Sequence, residues 1–220
     1  MNLAKYIDHT LLKPDAKRSD IEKLCREARE HGFYSVCVNG SWVSTAVELL
    51  KGSDVAVAAV TGFPLGAMST KAKAYETEQA IADGATEIDT VINIGRLKDK
   101  DDAYVLADLK AVVDAAKGNK VKVIFETCLL NDEEKERASK LSVEAGAAFV
   151  KTSTGFSSGG ATLEDVKLMS KTVDGKAEVK ASGGIRDLAA AQAMVDAGAT
   201  RLGTSSGIAI LEGKIVTSGY

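Results

Sequence analysis

The sequence predicts a TIM (β/α)8 barrel of the α/β class, filling residues 1–220 as a single domain. Three observations point there. Short apolar runs alternate with amphipathic segments along the whole chain, the pattern of an α/β fold. The runs are rich in Val, Ile and Ala with weak alternation, as expected of strands covered on both faces in a parallel sheet. Eight such units fit into 220 residues, near the short end of the size range for this barrel. A doubly wound open sheet is the alternative architecture. No GxGxxG follows the first apolar run, which weighs against a dinucleotide-binding version.

The elements read off in order. Strands are expected at 4–10, 33–39, 54–63, 86–94, 120–127, 148–154, 177–183 and 200–205. In each, a short apolar run gives way to Gly, Thr, Ser or Asn, and an amphipathic segment follows. The stretch "SDIEKLCREAREHG" places Ser19 at the N-cap and Gly32 as the stop, with Ile21, Leu24, Cys25 and Ala28 on one face. "STKAKAYETEQAIADG" and "NDEEKERASKLSVEAG" repeat that grammar, opening on a capping residue and closing on glycine. "LAAAQAMVDAG" is Ala-rich, so its helix can pack closely against a sheet.

Composition narrows the function classes. Hydrophobic residues make up 45% and charged residues 27%, ordinary for a soluble globular protein. A net charge of −3 provides no basic footprint for nucleic acid and no polybasic patch for a membrane. Any anion site must therefore be local. The three cysteines, Cys25, Cys37 and Cys128, are odd in number and widely spaced, which fits a reduced cytoplasmic setting. The opening "MNLAKYIDHT" lacks the apolar run of a signal peptide, and charges or glycines interrupt every apolar run. Barrel enzymes often associate, so a homodimer is expected, although no interface is legible here.

Two lysines carry the chemical argument. Lys151 lies late in the sixth expected strand and Lys180 late in the seventh, in the matched settings "VKTST" and "VKASG". Active sites of such barrels gather at the C-terminal strand ends. Adjacent strands run about 4.8 Å apart, so two inward-facing ammonium groups would share one desolvated cavity, and both effects disfavour charge. A free lysine, with a pKa of about 10.4, is almost wholly protonated at neutral pH. Burial beside a second cation yields a neutral amine able to attack a carbonyl. The plain alternative is a lysine that snorkels to solvent or pairs with an acid. Lys122 in "KVKVIF" lies early in its strand, away from the catalytic end, and reads as structural.

Asp89 in "EIDTVIN" is the candidate acid, able to stabilise an ammonium and shuttle protons, or simply to serve as an ion-pair partner. Asp8 and Glu126 are weaker candidates of the same kind. His9 reads as a structural hydrogen-bonding group, and Cys37 as a buried thiol. The glycine-rich turns "STGFSSGG", "SGGIRD" and "GTSSG" follow the last three strands, where barrels often bind phosphate through backbone N–H groups. Ser205 and Ser206 add hydroxyl donors, and Arg186 adds charge or caps its own turn. With two histidines and no HExxH or clustered Cys/His set, the sequence shows no metal constellation.

Taken together, "IDHTLL", "EIDTVINIG", "FVKTSTGF", "VKASGGIR" and "GTSSG" resemble the class I deoxyribose-phosphate aldolase family. The match runs from residue 7 to the C-terminus in the family's order and spacing, and "KTSTG" followed by "KxxGG" is its specific part. The resemblance implies reversible cleavage of 2-deoxy-D-ribose 5-phosphate to D-glyceraldehyde 3-phosphate and acetaldehyde, in the breakdown of deoxyribose phosphates, with no metal and no organic cofactor. It implies that Lys151 forms the Schiff base, that Lys180 perturbs it and joins proton transfer, and that Asp89 is the acid of the relay. The expected scission is of the C3–C4 bond. Gly155, Gly183, Gly184, Ser205 and Ser206 match phosphate-binding turns, and Thr10, Leu12 and Thr154 match substrate-lining positions. Phe156 departs from longer relatives that carry a basic residue there. Tyr220 is expected to fold over the site and assist proton transfer, or else to belong to a loose tail. The competing readings are a Schiff-base aldolase for another sugar phosphate and a phosphosugar-binding barrel without turnover.

Overall fold

The computed structural model describes residues 2–214. A 3-10 turn at Leu3–Tyr6 leads into β1 (Ile7–Leu11), α1 (Arg18–His31), β2 (Ser35–Val38), a second 3-10 turn at Gly40–Trp42, and α2 (Val43–Leu50). Next come β3 (Ala56–Thr61), α3 (Thr70–Ala82), β4 (Glu87–Val91), α4 (Ile94–Lys98), α5 (Asp102–Ala115) and β5 (Lys120–Ile124). A 3-10 turn at Thr127–Leu129 precedes α6 (Asp132–Glu144), β6 (Phe149–Lys151), α7 (Leu163–Val173), β7 (Glu178–Ser182), α8 (Leu188–Asp196), β8 (Arg201–Thr204) and α9 (Gly207–Leu211). The strands pair in chain order, all parallel, and β1 closes on β8. The fold is therefore the TIM barrel and not the open sheet.

All eight expected strands form, and each is shorter than the run that announces it. Residues 3–6 turn before β1 begins. β3 stops where Gly62 takes a φ of +61°, and β5 stops before Glu126, at φ +56°. Asn93 and Ile94 leave the fourth run because the Asn93 side chain accepts the Arg96 N–H at 3.2 Å and starts α4. Ser19 is not the cap of α1. Lys17 holds that position, and its N–H is taken by the Asp20 carboxylate reaching back at 2.8 Å. Gly32 does stop the helix, in the left-handed conformation. Ser69 and Asn131 cap α3 and α6 as expected. A side-chain cap of this kind is worth about 1 kcal/mol.

Pleating sends alternate residues to opposite faces of each strand. Val36, Val57, Ile88, Val121, Val123, Val150, Val179 and Leu202 point outward into one apolar layer beneath the helices. Their neighbours point inward, and the interior is split. Toward β1–β3 it is apolar, with Leu12, Cys37, Ala58 and Val60 in one cluster. Toward β4–β8 it is charged, and Asp8 from β1 joins that charged side. Alternation is thus present, but between apolar and buried ionic residues, which blurs any reading that expects a polar face to meet water.

Register sets the site. Ile124, Lys151, Lys180 and Arg201 are successive Cα partners across β5, β6, β7 and β8. Asp89 partners Lys122. Gly203 makes room for the Lys180 stem: a Cβ there would sit 3.0 Å from Lys180 Cε.

Candidate active site

β6 has only three residues and ends at Lys151, so the side chain leaves the sheet at the catalytic rim and points into the barrel. Lys180 is the central residue of β7 and not a late one. The short β6 nevertheless puts the two lysines level. Lys151 Nζ and Lys180 Nζ donate to the same oxygen of Asp89, Oδ2, at 2.8 and 2.7 Å. Lys180 also donates to Asp8 Oδ2 at 2.5 Å. Lys151 and Lys180 are buried, as is Asp89.

The electrostatics separate the two amines. Burial pushes Lys151 below the usual lysine range, and the attraction of Asp89 does not restore it against the repulsion of Lys180. Burial acts on Lys180 too, but Asp8 and Asp89 outweigh it and hold that amine above its ordinary value. Burial works against ionised Asp89, yet Lys122, Lys151 and Lys180 together keep its carboxyl well below the carboxylate range. One lysine is thereby made the weaker base beside another held as an ammonium.

Above Lys151 lies a pocket of about 530 Å3, its open mouth included. Its walls include Thr10, Leu12, Thr154, Gly155, Gly183, Gly184, Ser205 and Ser206, so every substrate-lining and phosphate-loop residue expected from sequence meets in one cavity with Lys151. Lys180 and Asp89 lie beneath it. Gly155, Gly183 and Gly184 have φ of +85°, +87° and +80°, a region that glycine enters without strain. The loops after β6 and β7 touch through backbone: a Cβ on Gly160 would lie 2.4 Å from the Gly183 carbonyl oxygen. Arg186 lines the mouth and brings positive charge.

The weaker candidates sort by geometry. Asp8 belongs to the buried cluster, held by Lys180, by Arg201 Nη1 at 2.8 Å and by the Ser35 hydroxyl at 2.7 Å. Glu126 accepts from the Thr154 N–H at 3.2 Å and from the Thr154 hydroxyl, fixing a pocket wall. His9 Nε2 pairs with Glu27 at 2.8 Å on the helix side, a structural role. Cys37 is buried, and burial, aided by Asp89, pushes its thiol up to about 11. Phe156 packs edge-on against Phe63 at 5.2 Å between ring centroids. Tyr220 lies outside the described residues.

Lys122 requires a correction. It is not remote from the chemistry: Nζ lies 2.7 Å from both Asp89 Oδ1 and Glu87 Oε2. Being early in a strand does not isolate a side chain four or more carbons long that points into the barrel. Glu87 and Arg201 escaped sequence reasoning altogether, although for Glu87 the signal was available in its spacing from Asp89. Glu87 stands two residues before Asp89, and Arg201 is the register partner of Lys180, so both fall on inward positions.

Comparison with known proteins identifies the family. The family model described as DeoC/LacD family aldolase matches residues 2–213. The chain is 63% identical over 220 residues to a deoxyribose-phosphate aldolase from Bdellovibrio bacteriovorus, covering all of both chains. It is 62% identical over 220 residues to one from Geobacillus sp. (strain WCH70), covering 100% of this chain and 99% of the relative. A solved structure described as a tetrameric deoxyribose phosphate aldolase from Aeropyrum pernix superposes with a TM-score of 0.89 at 35% identity, over 96% of this chain and 89% of that one. With near-complete coverage by a family model and by relatives above 60% identity, the chain belongs to the DeoC/LacD family of aldolases.

Proposed function

We propose that the protein cleaves 2-deoxy-D-ribose 5-phosphate reversibly to D-glyceraldehyde 3-phosphate and acetaldehyde, through an imine on Lys151. The observation that carries this reading is a lysine pushed toward neutrality at the floor of a pocket, sharing one carboxylate oxygen with a second lysine held charged. The substrate follows from the relatives, all three of which bear the name of the deoxyribose-phosphate enzyme.

The neutral Lys151 amine attacks the C1 aldehyde, and loss of water yields an iminium. Carbon count corrects the expected scission: acetaldehyde takes C1 and C2, so the bond that breaks is C2–C3 and not C3–C4. The electron pair of that bond flows into the iminium to form an enamine, while the C3 hydroxyl proton leaves through the Asp89–Lys180 pair. C3 becomes the aldehyde of the three-carbon product. Protonation of the enamine at C2 and hydrolysis release acetaldehyde and the amine. Arg186, Ser205, Ser206 and the glycine turns are suited to hold the phosphate, and binding energy spent there orients the reacting carbonyl. The water lost in forming the iminium is regained in its hydrolysis, so the sequence balances.

The test is intact-mass spectrometry after incubation with 2-deoxyribose 5-phosphate and borohydride, then peptide mapping. A reduced two-carbon or sugar adduct on the Lys151 peptide is expected. An adduct on Lys180 alone would reverse the two roles, and turnover without any adduct would refute the imine. We further propose a cytoplasmic homodimer. Free thiols at Cys25, Cys37 and Cys128 support the compartment, and sedimentation distinguishes a dimer from the tetramer described for the Aeropyrum relative. Among the described residues, no helix is long and apolar enough to cross a membrane.

A further inference from the structure

The charged half of the barrel interior is one connected cluster that extends well below the catalytic lysine. From the pocket downward, Lys151 and Lys180 meet at Asp89 Oδ2, and Lys122 takes Asp89 Oδ1. Lys122 passes the contact to Glu87 Oε2 at 2.7 Å. Arg201 Nη1 joins Glu87 Oε2 at 2.9 Å to Asp8 Oδ1 at 2.8 Å, and Asp8 returns to Lys180. The guanidinium lies over the Tyr34 ring, 3.4 Å from its centroid, so the far end is closed by an aromatic lid. All seven charged groups are buried.

Their charges do not balance if all are ionised. Asp8, Glu87 and Asp89 are three acids, whereas Lys122, Lys151, Lys180 and Arg201 are four bases. A buried cluster with an uncompensated charge is strongly disfavoured. The cheapest remedy is loss of one proton from the base with fewest acid partners. Arg201 does not deprotonate. Lys122 and Lys180 each touch two or more carboxylates, whereas Lys151 touches only Asp89. The remaining titratable groups around Lys151 do not alter the count. Cys37 on β2 is a neutral thiol, β3 presents none, Glu126 accepts from Thr154 and forms no ion pair with any base of the cluster, and Arg186 stands at the open mouth.

We propose that Glu87, Lys122 and Arg201 are positioning residues for catalysis: lying below the reacting atoms, they complete a set of three acids and three bases that cancels without Lys151, and so leave Lys151 as the neutral amine. This inference rests on the imine reading above, and it extends the control of Lys151 beyond its neighbour Lys180 to charges at the opposite end of the barrel.

The experiment measures the pH dependence of borohydride trapping of acetaldehyde on Lys151, whose rate follows the free amine. Lys122→Met removes a cation, so the midpoint should move up by about one pH unit or more. Glu87→Gln removes an anion, so the midpoint should move down. The double variant restores the balance, and its midpoint should return to within a few tenths of a unit of the parent value. Should Lys122→Met fail to fold, Arg201→Gln removes a cation from the same cluster and carries the same upward expectation. Opposite shifts with recovery in the double variant establish the proposal, because a merely structural role would lower the trapping rate without moving its midpoint in a charge-dependent direction. Shifts of one sign in both single variants, or unchanged midpoints in folded proteins, overturn it and leave the imine reading intact. Absence of any adduct on parental Lys151 overturns both.

Discussion

Lys151 and Lys180 bind the same oxygen of Asp89, at 2.8 and 2.7 Å. One carboxylate oxygen cannot fully compensate two ammonium groups in a water-excluded site. Asp8 resolves the competition by taking Lys180 from the other side at 2.5 Å, which leaves Lys151 as the weaker base.

Replacing Lys180 with methionine should therefore raise the pKa of Lys151 and slow turnover together. Turnover at neutral pH is expected to fall by roughly 100-fold or more, since a proton-transfer partner is lost with it. Imine trapping should survive and recover as the pH is raised toward 10. Comparing the trapped adduct at pH 7 and pH 10 checks this, and loss of trapping at both would show that Lys180 itself is the nucleophile.

Lys151→Met should abolish trapping without weakening the fold. A lysine whose folded pKa is lowered binds fewer protons in the native state than in the unfolded chain. It therefore detracts from stability below the ordinary lysine pKa of about 10.4. Removing it is expected to leave the urea midpoint at neutral pH unchanged or higher. A clear loss of stability would contradict the reading of Lys151 as the surplus base.

Asp89→Asn acts in the opposite sense. It strips Lys122, Lys151 and Lys180 of their shared acid, and removing one partner of a buried ion cluster typically costs about 3–5 kcal/mol. Urea unfolding at pH 7 should show a loss of that order, with activity falling too.

The two lowered carboxyls of the buried cluster, Asp8 and Asp89, set the acid limit of the fold. Asp8 and Asp89 have folded pKa values below their unfolded ones, so their contribution is complete above about pH 5 and lost as the pH falls through the lowered values. Urea midpoints measured from pH 7 down to pH 2 should hold to about pH 5 and then decline. The decline should be shallower in Asp89→Asn.

Glu126→Ala should loosen the pocket wall. Glu126 stands at φ +56° and accepts both the N–H and the hydroxyl of Thr154. Without it, a buried N–H and hydroxyl lose their acceptor, a change worth about 1–3 kcal/mol. KM for the sugar phosphate is expected to rise several-fold, while the trapping rate with acetaldehyde, a far smaller probe, changes little.

The amino-acid sequence by itself determined the strand count, the helix grammar and the family. Those signals are local: apolar runs, capping residues such as Ser69 and Asn131, glycine stops such as Gly32, and motifs such as "KTSTG" need no knowledge of what lies across the barrel. It also marked Lys151, Lys180 and Asp89, because a charge inside an apolar run is conspicuous. Tertiary structure decided how those charges divide. Strand register and barrel closure bring Asp8 from β1, Glu87 from β4, Lys122 from β5 and Arg201 from β8 within hydrogen-bonding distance of the same interior cluster. Their separation in sequence hides that closeness. The pKa of a buried amine depends on every charge within a few ångströms, so which lysine is neutral is a property of the closed barrel.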